Sequence, residues 1–143
     1  MVDKSSRTLS CQILTPDRTV FRGEVDRLVV TAVDGELGIL PRHAPLVGAL
    51  SLGEARITTG AETRKFVIFG GLVEVLDNQA VVLAAGAADV ATLDPVVVRR
   101  QLAEAEAETP EGAAATADRQ RRIDHARACL KVLEGGMARE EAH

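Results

Sequence analysis

The chain has 143 residues, of which 46% are hydrophobic, 27% charged and 2% aromatic, with three Phe and no Tyr or Trp. That balance is globular, accommodates one ordinary domain or two very small ones, and leaves no aromatic platform on which bases or sugars could stack. A net charge of −4 and a pI near 5.4 argue against a general polyanion binder, because phosphate affinity rests on clustered Lys and Arg, and leave room only for a local basic patch.

The N-terminal MVDKSSRTLS lacks the apolar run of a signal peptide, and no stretch approaches the ~20 apolar residues that a membrane-spanning helix needs. A soluble protein is expected, with any membrane contact made through a partner. Cys11 and Cys129 lie in segments of different character, which points to small core residues in a reducing compartment and not to a disulfide framework.

From Thr8 to about Ala85 the chain reads as short strands separated by turns. In TLSCQILT, Leu9, Cys11 and Ile13 share one face at period two, and Pro16 with Asp17 ends the run. TVFR then precedes Gly23, and EVDRLVVTAV carries Val25, Leu28, Val29, Val30 and Val33 up to Asp34 and Gly35. Further strands are predicted at LVGALSL, EARITT, TRKFVIF, LVEVL and AVVLAA, with breaks at Gly53, Gly60, Gly70 with Gly71, and Asp77 with Asn78. Strand signals without intervening helices predict an antiparallel sandwich or barrel, which holds Phe21, Phe66 and Phe69.

After this the pattern becomes helical. Asp94 before Pro95 is an N-cap with proline in the first turn, and Val98, Leu102 and Ala105 share the helical face that follows. Thr109 to Gly112 break the helix. A second runs from about Ala113 to Glu134, with Ile123, Ala126, Leu130 and Leu133 on one stripe, and Gly135 with Gly136 close it. Residues 1–88 are thus expected to form an all-β domain, a sandwich or a barrel of short antiparallel strands, and residues 89–143 an antiparallel helical hairpin.

The first helix is Glu-rich and the second carries Arg119, Arg121, Arg122, Arg127 and Lys131, so pairing inside the hairpin is expected; the alternative is docking of the basic helix on an acidic surface elsewhere. The apolar stripe is rich in Ala, which predicts a weakly held hairpin able to rearrange.

No catalytic motif is present: there is no HExxH, GxSxG, CxxC or GxxxxGK followed by Ser or Thr. His143 is terminal, His125 lies in a polar part of the second helix, and His43 in PRHAP has no local carboxylate or cysteine to make a triad. The most informative segment is DGELGILPRHAPLVGAL, residues 34–50. Its two prolines, Pro41 and Pro45, argue against a central strand, and it is predicted to be a stiff exposed loop displaying Glu36, Arg42 and His43. Read from the residues alone, it is either a contact surface or a simple strand connection.

That segment, together with FRGEVDRLVV before it and GGLVEVLDNQAVVLA after it, resembles the epsilon subunit of the rotary F-type ATP synthase, called delta in mitochondria. The resemblance covers residues 9–94 at motif level. It implies an all-β N-terminal sandwich of about ten short antiparallel strands followed by a C-terminal antiparallel helical hairpin, acting as a non-catalytic part of the central rotor on the cytoplasmic face of the bacterial membrane, without direct membrane insertion or nucleic-acid binding. It further implies packing against the gamma subunit and a loop facing the c-ring, with Glu36, Leu40, Arg42 and His43 as contact residues. For the tail it implies inhibitory contacts of Arg119, Arg122, Arg127 and Lys131 with the catalytic beta subunit.

Some members bind ATP through Ile or Leu, Asp, two residues, Arg, Ala at the first helix. Here Leu93 and Asp94 match, but Val97 and Val98 replace the Arg and Ala, and Arg99 stands two positions late, about 200° round a helix. Leu93, Asp94 and Arg99 are therefore only weak ATP candidates, and no cofactor is assigned. The copy IDHARA at 123–128 is read as coincidence, with Asp124 and Arg127 as an ordinary helix ion pair. Two competing readings are a ligand- or peptide-binding sandwich with a helical appendage, which three Phe serve poorly, and a small-barrel enzyme using His43 and Glu36, which lacks a third group in the segment.

Overall fold

The computed structural model describes the backbone of residues 7–141 and the side chains of residues 7–135. His143 and the first six residues lie outside the described residues. The described residues fall into two compact units that divide between Ala91 and Thr92, just beyond the last strand, where the sequence suggested a boundary after residue 88.

The first unit has eight strands: β1 (Leu9–Leu14), β2 (Thr19–Val25), β3 (Arg27–Ala32), β4 (Gly35–Ile39), β5 (Leu46–Thr59), β6 (Glu62–Leu76), β7 (Gln79–Ala84) and β8 (Ala87–Asp89). They pair in the order β2-β1-β7-β6-β5-β3-β4, and β8 pairs with β6. Eight replace the expected ten because β5 and β6 are 14 and 15 residues long and run straight through Gly53 and through Gly70 with Gly71. One pair, β1 with β7, is parallel; the other strand pairs are antiparallel, as expected.

The two long strands turn this sheet into a sandwich. Leu72 to Leu76 of β6 pair with β7, whereas Phe66 to Ile68 pair with β8. Gly70 and Gly71, at φ 83° and 138°, mark the change, and a Cβ on Gly71 would stand 2.1 Å from the carbonyl oxygen of Leu83. Only glycine meets both demands. Gly53 serves the same bend on β5: a Cβ there would lie 2.7 Å from the Cβ of Thr31, beside the irregularity in β3–β5 pairing between Val29 and Ala32.

Folding the sheet brings β1 and β7, at one end of the strand order, against β3 and β4 at the other. Leu9, Cys11 and Ile13 meet Leu28, Val30, Ile39, Ile57, Phe66, Val73, Val75 and Val82 in one core, all but wholly buried. The period-two face read in β1 is therefore the core face. Burial pushes the Cys11 thiol up to about 12, as expected for a small core residue. Phe21 meets Phe66 edge-on with centroids 6.0 Å apart, and the Arg64 guanidinium lies over both rings at 5.3 and 5.2 Å. Arg64 also pairs with Asp89 at 2.8 Å, tying β8 to β6.

The second unit is an antiparallel pair, α1 (Pro95–Ala107) and α2 (Ala113–Glu141). Asp94 is the N-cap, its Oδ1 accepting from the Val96 amide at 2.9 Å, and Gly112 leaves the break at φ 88°. The expected stop at Gly135 and Gly136 does not occur. Each glycine costs about 1 kcal/mol in a helix interior, but with helix-forming residues on both sides that disfavours the helix without ending it. Val98, Ala105, Ile123, Ala126, Cys129 and Val132 are buried, so the α2 stripe is centred on Cys129 and Val132 instead of Leu130 and Leu133, which are half-buried.

Candidate functional site

The segment 34–50 is not one loop. GELGI forms β4, a strand hydrogen-bonded to β3 alone, and LVGAL opens β5. The prolines lie between these strands, so they spoil no ladder, and β4 takes the edge position where an unpaired side is tolerated. Glu36 and Arg42 consequently sit at opposite ends of β4: four residues separate Glu36 from Leu40, roughly 14 Å of strand.

Glu36 has a side chain 59% exposed and pairs with Arg56 at 3.0 Å. Arg56 also holds Glu54 at 2.7 Å. Burial of the Arg56 guanidinium works against its charge, but the bonds from Glu54 and Glu36 outweigh that and leave its pKa above the ordinary value. The Glu36 carboxylate is thus fixed in place while still open to solvent.

At the other end Leu40 to His43 form a tight turn, closed by the His43 amide donating to the Leu40 carbonyl at 3.1 Å. Pro41 takes the second position and Arg42 the third, at φ 67°, the pattern of a type II turn. Leu40 is 55% exposed, Arg42 is exposed and His43 half-buried. The Nδ1 of His43 lies 2.7 Å from the Ala44 carbonyl, which requires the proton on Nδ1, and no carboxylate among the described residues bonds its ring. The turn thus presents Leu40 and Arg42 to solvent, with the His43 ring tied to the neighbouring backbone. No three metal-ligating side chains cluster among the described residues.

Sequence reasoning missed a second surface. On the face of these strands turned away from the core Leu14 stands opposite Leu83, Leu83 opposite Leu72, and Leu72 opposite Ala49, a row across β1, β7, β6 and β5. Leu72 and Leu83 are each 46% exposed, and Leu76 and Val47 on the same face are also exposed. The signal was present in AVVLAA, which is apolar on both faces where a strand wetted on one side alternates apolar with polar; in LVEVL the outward face reads Leu72, Glu74 and Leu76, so Glu74, opposite Val47, interrupts the apolar patch.

In the hairpin the expected internal pairing is seen. Arg119 on α2 donates to the carbonyls of Ala105 and Glu106 at 2.9 and 3.0 Å, capping the last turn of α1. Arg122 bonds both oxygens of Glu108 and reaches Asp118 at 2.9 Å, which also accepts from Arg121 at 2.6 Å. These bonds hold the Glu108 and Asp118 carboxyls below their usual range. Arg127 faces Glu106 at 3.8 Å, while Asp124 accepts from Gln120 at 2.9 Å, so the expected Asp124–Arg127 pair does not form. Lys131 pairs with none of the described residues. Of the ATP candidates, Asp94 is engaged as a cap, Leu93 is half-buried and Arg99 is exposed.

A family model described as the ATP synthase delta/epsilon chain β-sandwich domain matches residues 8–90, the whole stretch from β1 to β8. The chain belongs to this family. It is 42% identical over 104 residues to the ATP synthase epsilon chain of Pelotomaculum thermopropionicum, covering 73% of this chain and 76% of the relative. It is also 35% identical over 116 residues to that of Gloeothece citriformis, covering 81% and 83%. The match to the epsilon chain of Alkalihalophilus pseudofirmus, 44% over 80 residues, spans 60% of that relative.

Among solved structures the fold is similar to a chain of the Euglena gracilis mitochondrial ATP synthase OSCP/F1/c-ring assembly, with a TM-score of 0.74 at 20% identity, covering 89% of this chain and 82% of that one. It is similar also to a chain of the Tetrahymena thermophila mitochondrial ATP synthase central stalk and c-ring, with a TM-score of 0.59 at 18% identity, covering 86% and 94%. As a family member the chain is a non-catalytic, central-rotor subunit of ATP synthase, and no helix among its described residues is long and apolar enough to cross a membrane.

Proposed function

We propose that the sandwich transmits rotation by gripping two partners at once. Its apolar row, Leu14, Leu83, Leu72 and Ala49, packs against the gamma subunit, and the β4 edge, with Glu36 at one end and Leu40, Arg42 and His43 at the other, lies against the polar loops of the c-ring on the cytoplasmic face of a bacterial membrane. The observation that carries this reading is the apolar row on an outward sheet face, since a partly exposed leucine pair flanked by Val47 and Leu76 gains by burial at about 25 cal/mol per Å². The ordered Glu36–Arg56 pair supports the edge contact, because a charge already fixed loses little freedom on docking. In the assembled enzyme Leu72→Glu should prevent stable association with gamma, and Glu36→Lys should lower ion pumping per ATP hydrolysed. Normal assembly and pumping in both variants would reject the reading.

The bonds within the hairpin bear on the role of the tail. Arg119, Arg122 and Arg127 are engaged within the hairpin, so they become available to an acidic segment of the catalytic beta subunit only if α1 and α2 separate. We infer an inhibitory role that competes with hairpin closure, with Lys131 available in either state. Removal of the residues after Asp94 should raise ATP hydrolysis; an unaltered rate would reject inhibition.

A further inference from the structure

The turn at Leu40–His43 has a conformational cost that its own residues do not meet. Arg42 occupies φ 67°, where its Cβ crowds the backbone and where glycine or asparagine is the economical choice at the third position of such a turn. Its guanidinium bonds to none of the described residues, so nothing at the end of the side chain pulls the backbone into this shape. The compensating contact comes from 36 residues away: the Arg42 amide donates to Oδ1 of Asn78 at 2.8 Å.

Asn78 is itself firmly placed. With Asp77 it forms the two-residue turn between β6 and β7, at φ 50° and 59°, the left-handed pair that matches hairpin twist. Its Nδ2 donates to the Thr8 carbonyl at 2.8 Å, and its own carbonyl accepts from the Ser10 amide at 3.1 Å. The Arg42 amide can only donate and the Thr8 carbonyl can only accept, so the orientation of the side-chain amide is forced. One residue therefore joins the start of β1, the β6–β7 turn and the Arg42 turn. Few side chains combine tolerance of a left-handed backbone with an acceptor and a donor on one rigid planar group.

We propose that Asn78 is the positioning residue of the Arg42–His43 turn: it holds Arg42 left-handed and so sets where the Arg42 and His43 side chains leave the turn. That these side chains then meet a rotor partner rests on the function proposed above. The two substitutions that separate the roles are Asn78→Gly, which keeps the left-handed turn and deletes both side-chain bonds, and Asn78→Asp, which keeps the acceptor for Arg42 and deletes the donor to Thr8.

Amide hydrogen exchange measured by NMR on the full chain tests this. In Asn78→Gly the Arg42 amide should exchange roughly tenfold faster while core amides such as those of Ile13 and Val82 keep their rates, and in Asn78→Asp the Arg42 amide should stay protected. An unchanged Arg42 rate in Asn78→Gly, or an equal acceleration of the core amides, would overturn the proposal. In the assembled enzyme Asn78→Gly should reduce ion pumping as Arg42→Ala does, and the double variant should lose no more than either alone. If the exchange result holds while pumping is normal in both single variants, the positioning role stands and it is the rotor contact that fails.

Discussion

The sandwich and the hairpin hold together by different means. In the sandwich a single core of fully buried aliphatic side chains and Phe66 does the work, and of the ion pairs around it Glu36–Arg56 and Arg64–Asp89 lie at the surface while Glu54, paired with Arg56, is mostly buried. Among its described residues the hairpin buries six, two of them alanine and one cysteine, and adds a ladder of arginine bonds from α2 to the end of α1 and to Asp118. Burial of apolar area is non-directional and almost indifferent to salt, whereas exposed ion pairs are screened and worth little each. One unit is therefore built to keep its shape under load. The other can be opened by anything that competes for its arginines.

That contrast can be broken from the sandwich side first. Phe66→Ala removes the largest fully buried side chain and should cost about 3–5 kcal/mol in urea unfolding followed by sandwich probes, leaving hairpin helicity in native conditions unchanged. Simultaneous loss of the helical signal would show that the two units are one cooperative body. Gly71→Ala should cost about 2–3 kcal/mol, because the added Cβ meets the Leu83 carbonyl at a φ that L-residues avoid; a cost below 1 kcal/mol would mean the bend relaxes freely.

Acid should sharpen the contrast with a smaller effect. The Glu108 and Asp118 carboxyls are held below their usual range by Arg122 and Arg121, so their contribution is complete above the ordinary carboxylate range and is lost as the pH falls through about 4 toward the folded-state values. Helical circular dichroism should decline over that window while the sandwich persists, and Arg122→Ala should flatten the decline. A sandwich that unfolds before the hairpin would contradict this order. Smallest of all, 1 M salt should loosen the wild-type hairpin measurably by hydrogen exchange and leave Lys131→Ala indistinguishable from wild type, since Lys131 pairs with none of the described residues.

The same physics decides what could be read ahead of the structure. Local rules were enough for the β1 face at Leu9, Cys11 and Ile13, for the Asp94 cap and for the break at 109–112, because each depends on a few neighbouring residues. Gly53, Gly70 and Gly71 were legible as special but not as bends: a glycine that breaks a strand and one that lets a strand pass close to Thr31 or Leu83 look alike until the partner is in place. The candidate site followed the same division. Exposure of Arg42 followed from the prolines and charges, whereas Leu40 entered only through the resemblance, and the placement of Glu36 at the far end of an edge strand needed the pairing of β3 with β4. The grip of Asn78 on Arg42, and of Arg119 on the α1 carbonyls, joins residues distant in sequence and has no local signature.

The central claim is that coupling belongs to the sandwich and the tail only regulates. It is tested most directly by the number of ions pumped per ATP hydrolysed in the assembled enzyme when the chain ends at Asp94. The expected result is an unchanged ratio. A ratio that collapses on truncation, with the sandwich still bound, would place coupling in the helices and contradict the account.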